Sequence, residues 1–154
     1  MAVEPRKPFN DTVICDIDGT LADCDHRRHH VTSRPKNHKA FYDAMVHDKL
    51  IAPVALMIQA MYNQGYHVVL CSGRPDHWRD ETVEWLDKHW ISYHALYMRR
   101  QNDFRPDTDI KLELYHQILD DGYKPFLVID DRNRLVKMWR DLGLVCLQAA
   151  EGDF

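Results

Sequence analysis

Short apolar runs alternate along this chain with amphipathic stretches of ten to fifteen residues, and that alternation narrows the fold more than any other feature. Thr12–Asp16, His67–Cys71, Tyr93–Met98, Pro125–Ile129 and Leu144–Leu147 read as strands. Ala52–Gln64, Asp80–His89, Asp109–Leu119 and Arg134–Leu142 read as helices between them. Pro53 suits a first helical turn, while Gly65 and Gly143 suit the position just past a helix end. Ile110, Leu114 and Ile118 fall at four-residue spacing on one helical face. Strands that alternate with helices in this way build an α/β fold, a Rossmann-like parallel sheet covered by helices on both faces. In such sheets ligands bind beyond the carboxyl ends of the strands.

The total of 154 residues suits one domain with one core, and a composition of 45% hydrophobic and 29% charged residues is globular. Apolar stretches such as Ile51–Met61 are too short to cross a bilayer, so no membrane partner is expected. The opening MAVEPRKPFND lacks the apolar core of a secretory signal, which points to a cytoplasmic protein. Cys15, Cys24, Cys71 and Cys146 then read as reduced thiols, without the spacing of a zinc site. The net charge of −4 hides a local asymmetry. Between His26 and Lys39 lie Arg27, Arg28, Arg34, Lys36 and Lys39, with four histidines and no acid. A local positive field is enough to attract a polyphosphate or polynucleotide, although a solvated basic loop has the same composition.

The chemistry concentrates where strands end. In Asp16-Ile-Asp18-Gly19-Thr20, residues two apart in an extended segment share a face, so both carboxylates can line one pocket. Two adjacent carboxylates repel unless a cation or a proton relieves them, which motivates a metal. Ser72-Gly73-Arg74 offers a hydroxyl, a backbone amide and a guanidinium to phosphate oxygens. Lys111 opens the expected Asp109–Leu119 helix, and Asp130-Asp131-Arg132 follows the Pro125–Ile129 run. Singly, each has a commonplace explanation: a turn, a helix cap or a surface lysine. Their ordered recurrence at strand ends and helix starts is far more specific.

The series Asp16-x-Asp18-Gly-Thr20, Ser72, Lys111 and Asp130-Asp131 resembles the haloacid dehalogenase superfamily of phosphatases over nearly the whole chain. A closer likeness is to the 3′-phosphatase domains of bacteriophage polynucleotide kinase/phosphatases. It is carried by Asp16–Ala22, Arg27, Ser72–Arg74, Arg105 with Lys111, Asp130–Arg132, Met138–Arg140 and Gly152–Phe154. The resemblance implies that Asp16 is a nucleophile forming an aspartyl-phosphate and that Asp18 is the acid/base. It implies Mg2+ held by Asp16, the backbone carbonyl of Asp18 and a carboxylate of the Asp130/Asp131 pair, with the choice between those two left open. Lys111 would neutralise charge, and Thr20 and Ser72 would hold the transferring phosphoryl group. Arg27 and Arg74 would contact a substrate phosphate or nucleic-acid backbone, with Gly73 and Arg105 also on the substrate side.

One domain over residues 1–154 is expected, with a small basic insert at about 23–48 and no room for a large cap. An open site with a basic rim suits the end of a polymer. Phe41, Tyr42 and Phe104 are candidates for base stacking or for core packing, and Arg99, Arg100 and Arg105 for an extended rim. The expectation is therefore a Mg2+-dependent phosphomonoester hydrolase acting on a 3′-phosphate at a nucleic-acid end. The likeness suggests a phage or bacterial source and a role in nucleic-acid repair. No GxxxxGK[ST] stretch is present, so kinase activity is not expected, and a separate kinase or ligase is the implied partner. Two alternatives use the same or fewer residues: a 5′-nucleotidase acting on deoxynucleoside monophosphates, and a catalytically silent nucleic-acid-binding module. A histidine–aspartate metal hydrolase centred on His47-Asp48 lacks the further spaced ligands it would need.

Overall fold

The computed structural model describes residues 11–153, so the opening segment and Phe154 lie outside the described residues. The elements, in chain order, are β1 (Thr12–Cys15), β2 (Ala22–Asp23), α1 (His29–Thr32), α2 (His38–Asp43), β3 (Lys49–Leu50), α3 (Ala52–Asn63) and β4 (His67–Pro75). They continue with α4 (Arg79–Lys88), β5 (Ala95–Arg99), α5 (Asp107–Asp120), β6 (Pro125–Asp130), α6 (Asn133–Asp141) and β7 (Val145–Gln148). Five strands form one sheet in the order β5-β4-β1-β6-β7, with every pairing parallel.

Both faces of this sheet are buried, which is why its strands are nearly continuous apolar runs rather than alternating ones. Val13 and Cys15 point into one core with Val68 and Leu70, covered by Ile58 of α3 and Trp85 and Leu86 of α4. Ile14, Val69 and Cys71 point into the other, covered by Ile110, Leu114 and Ile118 of α5 and by Val136 and Trp139 of α6. The expected four-residue spacing on α5 is thus its buried face.

After β5 the chain leaves one edge of the sheet and re-enters on the far side of β1, as β6. The strand order therefore reverses between β1 and β6, and a crevice opens at their carboxyl ends. Cys15 is in register with Ile129, so Asp16 and Asp130 emerge there side by side.

Two boundaries differ from expectation in ways that matter. β4 continues through Ser72–Pro75, with its register against β5 shifting between Ser72 and Pro75, so the phosphate-type cluster is strand rather than turn. α5 begins at Asp107, directly after an extended Pro106, which places Lys111 in its second turn. Asp107 and Asp109 occupy the first turn, where the helix dipole favours acids.

The expected insert lies between β2 and β3, which pair as a small antiparallel sheet through Ala22–Leu50 and Asp23–Lys49. It carries only α1, α2 and single-turn helices, and no large cap is present among the described residues. No helix among the described residues is long and apolar enough to cross a membrane.

Candidate active site

Asp16, Asp130 and Asp131 are buried, and one carboxylate oxygen of each lies within 4.8 Å of the other two. Lys111 reaches into this cluster from α5, with Nζ 2.6 Å from Asp16 Oδ1 and 2.9 Å from Asp130 Oδ2. Trp139 of α6 donates its indole N–H to the same Asp130 oxygen over 3.0 Å. The other Asp130 oxygen accepts from the Asp131 backbone N–H at 2.9 Å. The Thr20 hydroxyl lies 3.2 Å from Asp16 Oδ2 and 3.4 Å from Asp131 Oδ1, bridging two of the three acids.

The turn after β1 has no alternative to glycine. Gly19 has φ +82°, and a Cβ there would sit 2.1 Å from Asp131 Oδ2. Asp131 is also braced from the carboxyl-terminal tail: Gln148 donates to its carbonyl over 2.9 Å, and a Cβ on Gly152 would fall 2.2 Å from that oxygen.

Electrostatics in this pocket are unbalanced. Burial pushes the Asp16 carboxyl well above the ordinary range; Lys111 pulls it back, while Asp130 and Asp131 push it further up. Asp131 is raised by burial and by Asp130. Burial opposes the Lys111 ammonium, but Asp130 and Asp16 outweigh it and keep the amine charged. Three buried carboxylates face one buried lysine and, 3.9 Å from Asp131, the half-buried Arg28, still a deficit of positive charge that suits a small divalent cation with oxygen ligands. The donor set therefore fits the metal expected from sequence.

Asp18 points elsewhere, into a second network. Its Oδ1 accepts from Arg27 Nη2 and from Arg74 Nη2, each at 2.6 Å. Both guanidiniums are fully shielded from solvent, whereas the Asp18 side chain keeps 23% of its surface. Burial works against ionisation of Asp18, but Arg74 and Arg27 together hold its carboxyl well below the usual range. Behind the two arginines stands Asp48. Arg27 grips it with two bonds, Nε to Oδ1 at 2.8 Å and Nη2 to Oδ2 at 2.7 Å, and Arg74 Nη2 lies 3.3 Å from Oδ2. His26 Nε2 is 2.7 Å from Asp48 Oδ1, and Trp85 donates to the Asp48 carbonyl over 2.9 Å.

The structure thus brings together Asp16, Thr20, Lys111, Asp130 and Asp131, with Asp18, Arg27 and Arg74 alongside. Ser72 is buried on the neighbouring strand, its hydroxyl accepting the Arg74 backbone N–H at 3.1 Å. Gly73 lies one residue on, its carbonyl accepting from Arg99 Nε at 3.0 Å. Arg105 is not drawn into the cluster: its guanidinium pairs with Asp103 at 2.7 Å and Glu113 at 2.5 Å. Arg27, expected on the basic rim, is interior, and its guanidinium carbon lies 4.3 Å over the Phe41 ring. Arg34, Lys36 and Lys39 are the exposed part of that basic segment. Asp48 enters the sequence reading only in the rejected His47-Asp48 metal pair, and no local signal points to its role, because its arginine partners lie 21 to 26 residues away.

Known structures of similar shape place the fold. A haloacid dehalogenase-like family hydrolase from Streptococcus pneumoniae superposes with a TM-score of 0.66 at 12% identity, over 92% of this chain and 87% of its own. The fold is accordingly haloacid dehalogenase-like. Within that broad class the family is narrower: the polynucleotide kinase PNKP phosphatase domain matches residues 10–154, and the chain belongs to that family. A chain in the structure of a Pnkp1/Rnl/Hen1 complex shares 38% identity with a TM-score of 0.79, covering 94% of this chain and 47% of that one. A bifunctional polynucleotide kinase/RNA ligase predicted in Autographa californica nuclear polyhedrosis virus is 30% identical over 141 residues, covering 88% of this chain and 19% of the viral protein. The chain therefore spans less than half the length of these two relatives.

Proposed function

We propose that this chain hydrolyses phosphomonoesters with Mg2+ through an aspartyl-phosphate on Asp16, and that its substrate is a 3′-phosphate at a polynucleotide end. The observation that carries the reading is the Asp16 carboxylate fixed by Lys111 inside a buried acid triad. A carboxylate attacking a phosphate must overcome repulsion between like charges, which is severe in a low-dielectric pocket. Asp16, Asp130 and Asp131, with the backbone carbonyl of Asp18, are the residues that would hold the ion. Bound there, Mg2+ supplies the neutralisation and orientation that an in-line displacement needs.

In the first step Asp16 bonds to phosphorus, the ester P–O bond breaks, and the departing oxygen takes a proton from Asp18. In the second, water attacks phosphorus, gives its proton to Asp18, and the bond to Asp16 breaks to release inorganic phosphate. At rest Arg27 and Arg74 hold Asp18 ionised, the form needed for the second step. The protonated form needed first is favoured as an anionic phosphate approaches and offsets the two guanidiniums. Thr20, whose hydroxyl lies 3.2 Å from Asp16 Oδ2, and Ser72 would hold the transferring phosphoryl group.

The lack of a large cap among the described residues and the exposed Arg34, Lys36 and Lys39 support a polymeric, anionic substrate. A relative named as a polynucleotide kinase/RNA ligase and another solved within an RNA repair complex support end repair alongside such partners. Phosphate release is to be measured with Mg2+ from a 3′-phosphorylated oligonucleotide, a 5′-phosphorylated one and a mononucleotide, each also with Asp16→Asn. Selective, Asp16-dependent release from the 3′ end supports the proposal. Faster turnover of the mononucleotide keeps the chemistry and overturns the polynucleotide substrate.

A further inference from the structure

Two of the three aromatic side chains considered for base stacking are occupied within the fold. Phe41 lies under the Arg27 guanidinium, and Tyr42 packs on Trp78 with ring centroids 4.8 Å apart. Phe104 is different, with 89% of its surface in water. It sits in the loop between β5 and α5, and that loop is braced rather than loose. Arg99 Nη1 donates to the carbonyls of Asp103 and Arg105, each at 2.9 Å, while its Nε holds Gly73. The Gln101 backbone N–H donates to Asp76 Oδ1 at 2.9 Å.

The chain neighbours of Phe104, Asp103 and Arg105, line a cavity of about 180 Å³ at the carboxyl end of β5, together with Met98, Ile110, Leu114, Arg99, Arg100 and Gln117. Two further acids line it, and all three are engaged: Asp103 and Glu113 pair with Arg105, and Asp76 accepts from the Gln101 backbone. Met98, Ile110 and Leu114 are buried apolar side chains. Arg105 is committed to Asp103 and Glu113, but the exposed Arg100 side chain has no hydrogen bond or ion pair among the described residues. The cavity lies toward the strand ends that carry the site: Arg99, which lines it, holds the Gly73 carbonyl, and Ile110, which lines it, precedes Lys111 on α5. A mostly polar recess whose acids are already paired, an exposed ring next to it in the chain and a guanidinium left without a partner together match one nucleotide unit. A base stacks on an aromatic face whatever its identity, and a guanidinium takes a phosphodiester.

We propose that this cavity, with Phe104 and Arg100 at its lip, is the subsite for the nucleotide next to the scissile phosphate, Phe104 stacking on the base and Arg100 meeting the phosphodiester. The inference rests on the polynucleotide reading given above. It assigns strand binding to the β5 side of the site and not to the basic insert alone.

The test is kcat/KM for a 3′-phosphorylated oligonucleotide relative to p-nitrophenyl phosphate, a small ester without a base, in wild type, Phe104→Ala, Phe104→Trp and Arg100→Ala. Phe104→Ala should lower the ratio about tenfold, mainly through KM, and Phe104→Trp should restore it. Arg100→Ala should lower the ratio and flatten its salt dependence. With an abasic nucleotide beside the phosphate, wild type should fall to the Phe104→Ala value, and Phe104→Ala should lose nothing further. A Phe104→Ala ratio within about twofold of wild type would overturn the subsite and leave the ring to a protein contact. Wild type that cleaves the small ester but no oligonucleotide refutes the polynucleotide reading itself, a result distinct from failure of the subsite.

Discussion

Trp139 and Asp130 are joined by a 3.0 Å hydrogen bond from the indole N–H to Oδ2, the oxygen that also receives Lys111. Trp139 is fully buried between α6 and the sheet, so its ring fixes the direction of a carboxylate at the end of β6. The bond links core packing on one face of the sheet to the geometry of the acid triad. Tryptophan is one of the few side chains able to do both, offering a large apolar body and a single donor.

Trp139→Phe keeps most of the packing and deletes the donor. A hydrogen bond to a charged group is worth about 1.5–3 kcal/mol, so Mg2+ affinity should fall by roughly ten- to a hundredfold. Activity at saturating Mg2+ should recover most of the wild-type value. Titration of phosphate release against Mg2+ checks this, and an unchanged half-saturation point would refute the linkage.

Asp16→Asn should abolish phosphate release while stabilising the metal-free protein. Three carboxylates crowd Lys111 and Arg28 in this pocket, and removing one negative charge relieves repulsion that burial magnifies. A gain of about 1 kcal/mol corresponds to a melting point higher by a few degrees in EDTA. Added Mg2+ should raise the melting point of wild type far more than that of the variant. Thermal melts of both proteins with and without the ion provide the comparison.

Much of this site was legible because the chemistry sits where periodicity changes. Asp16, Lys111 and Asp130-Asp131 fall at strand ends or in a helix start, and the parallel order of the sheet gathers them without further information. The short helices of the insert were not legible, since α1 and α2 bury no residue completely and so impose no apolar period. The burial of Arg27, expected to contact a substrate phosphate, was not legible, because a basic stretch looks alike whether its charges face water or buried acids. Asp48 shows the same limit from the other side. Its function comes from partners distant in sequence, and only the antiparallel β2–β3 pair, which closes the insert, carries it back beneath Asp18.

Asp48→Asn should be among the most destabilising single changes in the protein. Two shielded guanidiniums now share Asp18 and Asp48, and losing one acid leaves buried positive charge uncompensated. Breaking a buried pair in this way costs about 3–5 kcal/mol. Urea unfolding should show a lower midpoint with an unchanged slope. Arg34→Gln, at an exposed position of the same insert, serves as the control and should shift the midpoint little. Equal shifts in the two variants would show that the network is not a structural keystone.

The first turn of α5 supplies a prediction about acid. Asp107 is buried and held by Arg134, whose Nε lies 2.9 Å from Oδ1, and by Arg132. Burial alone would raise its carboxyl; Arg132 and Arg134 outweigh burial and bring it below 3.8. A carboxyl whose folded value lies below its unfolded one binds protons more tightly when unfolded. Its contribution to stability is therefore complete above the unfolded value and drains away as pH falls through the folded one. Asp107→Asn should accordingly lower stability by a constant amount at neutral pH, and the difference from wild type should begin to shrink below about pH 5. Urea midpoints measured for both proteins from pH 7 downward test this directly. A difference that stays constant into acid would mean that Asp107 acts by shape and hydrogen bonding rather than by its charge.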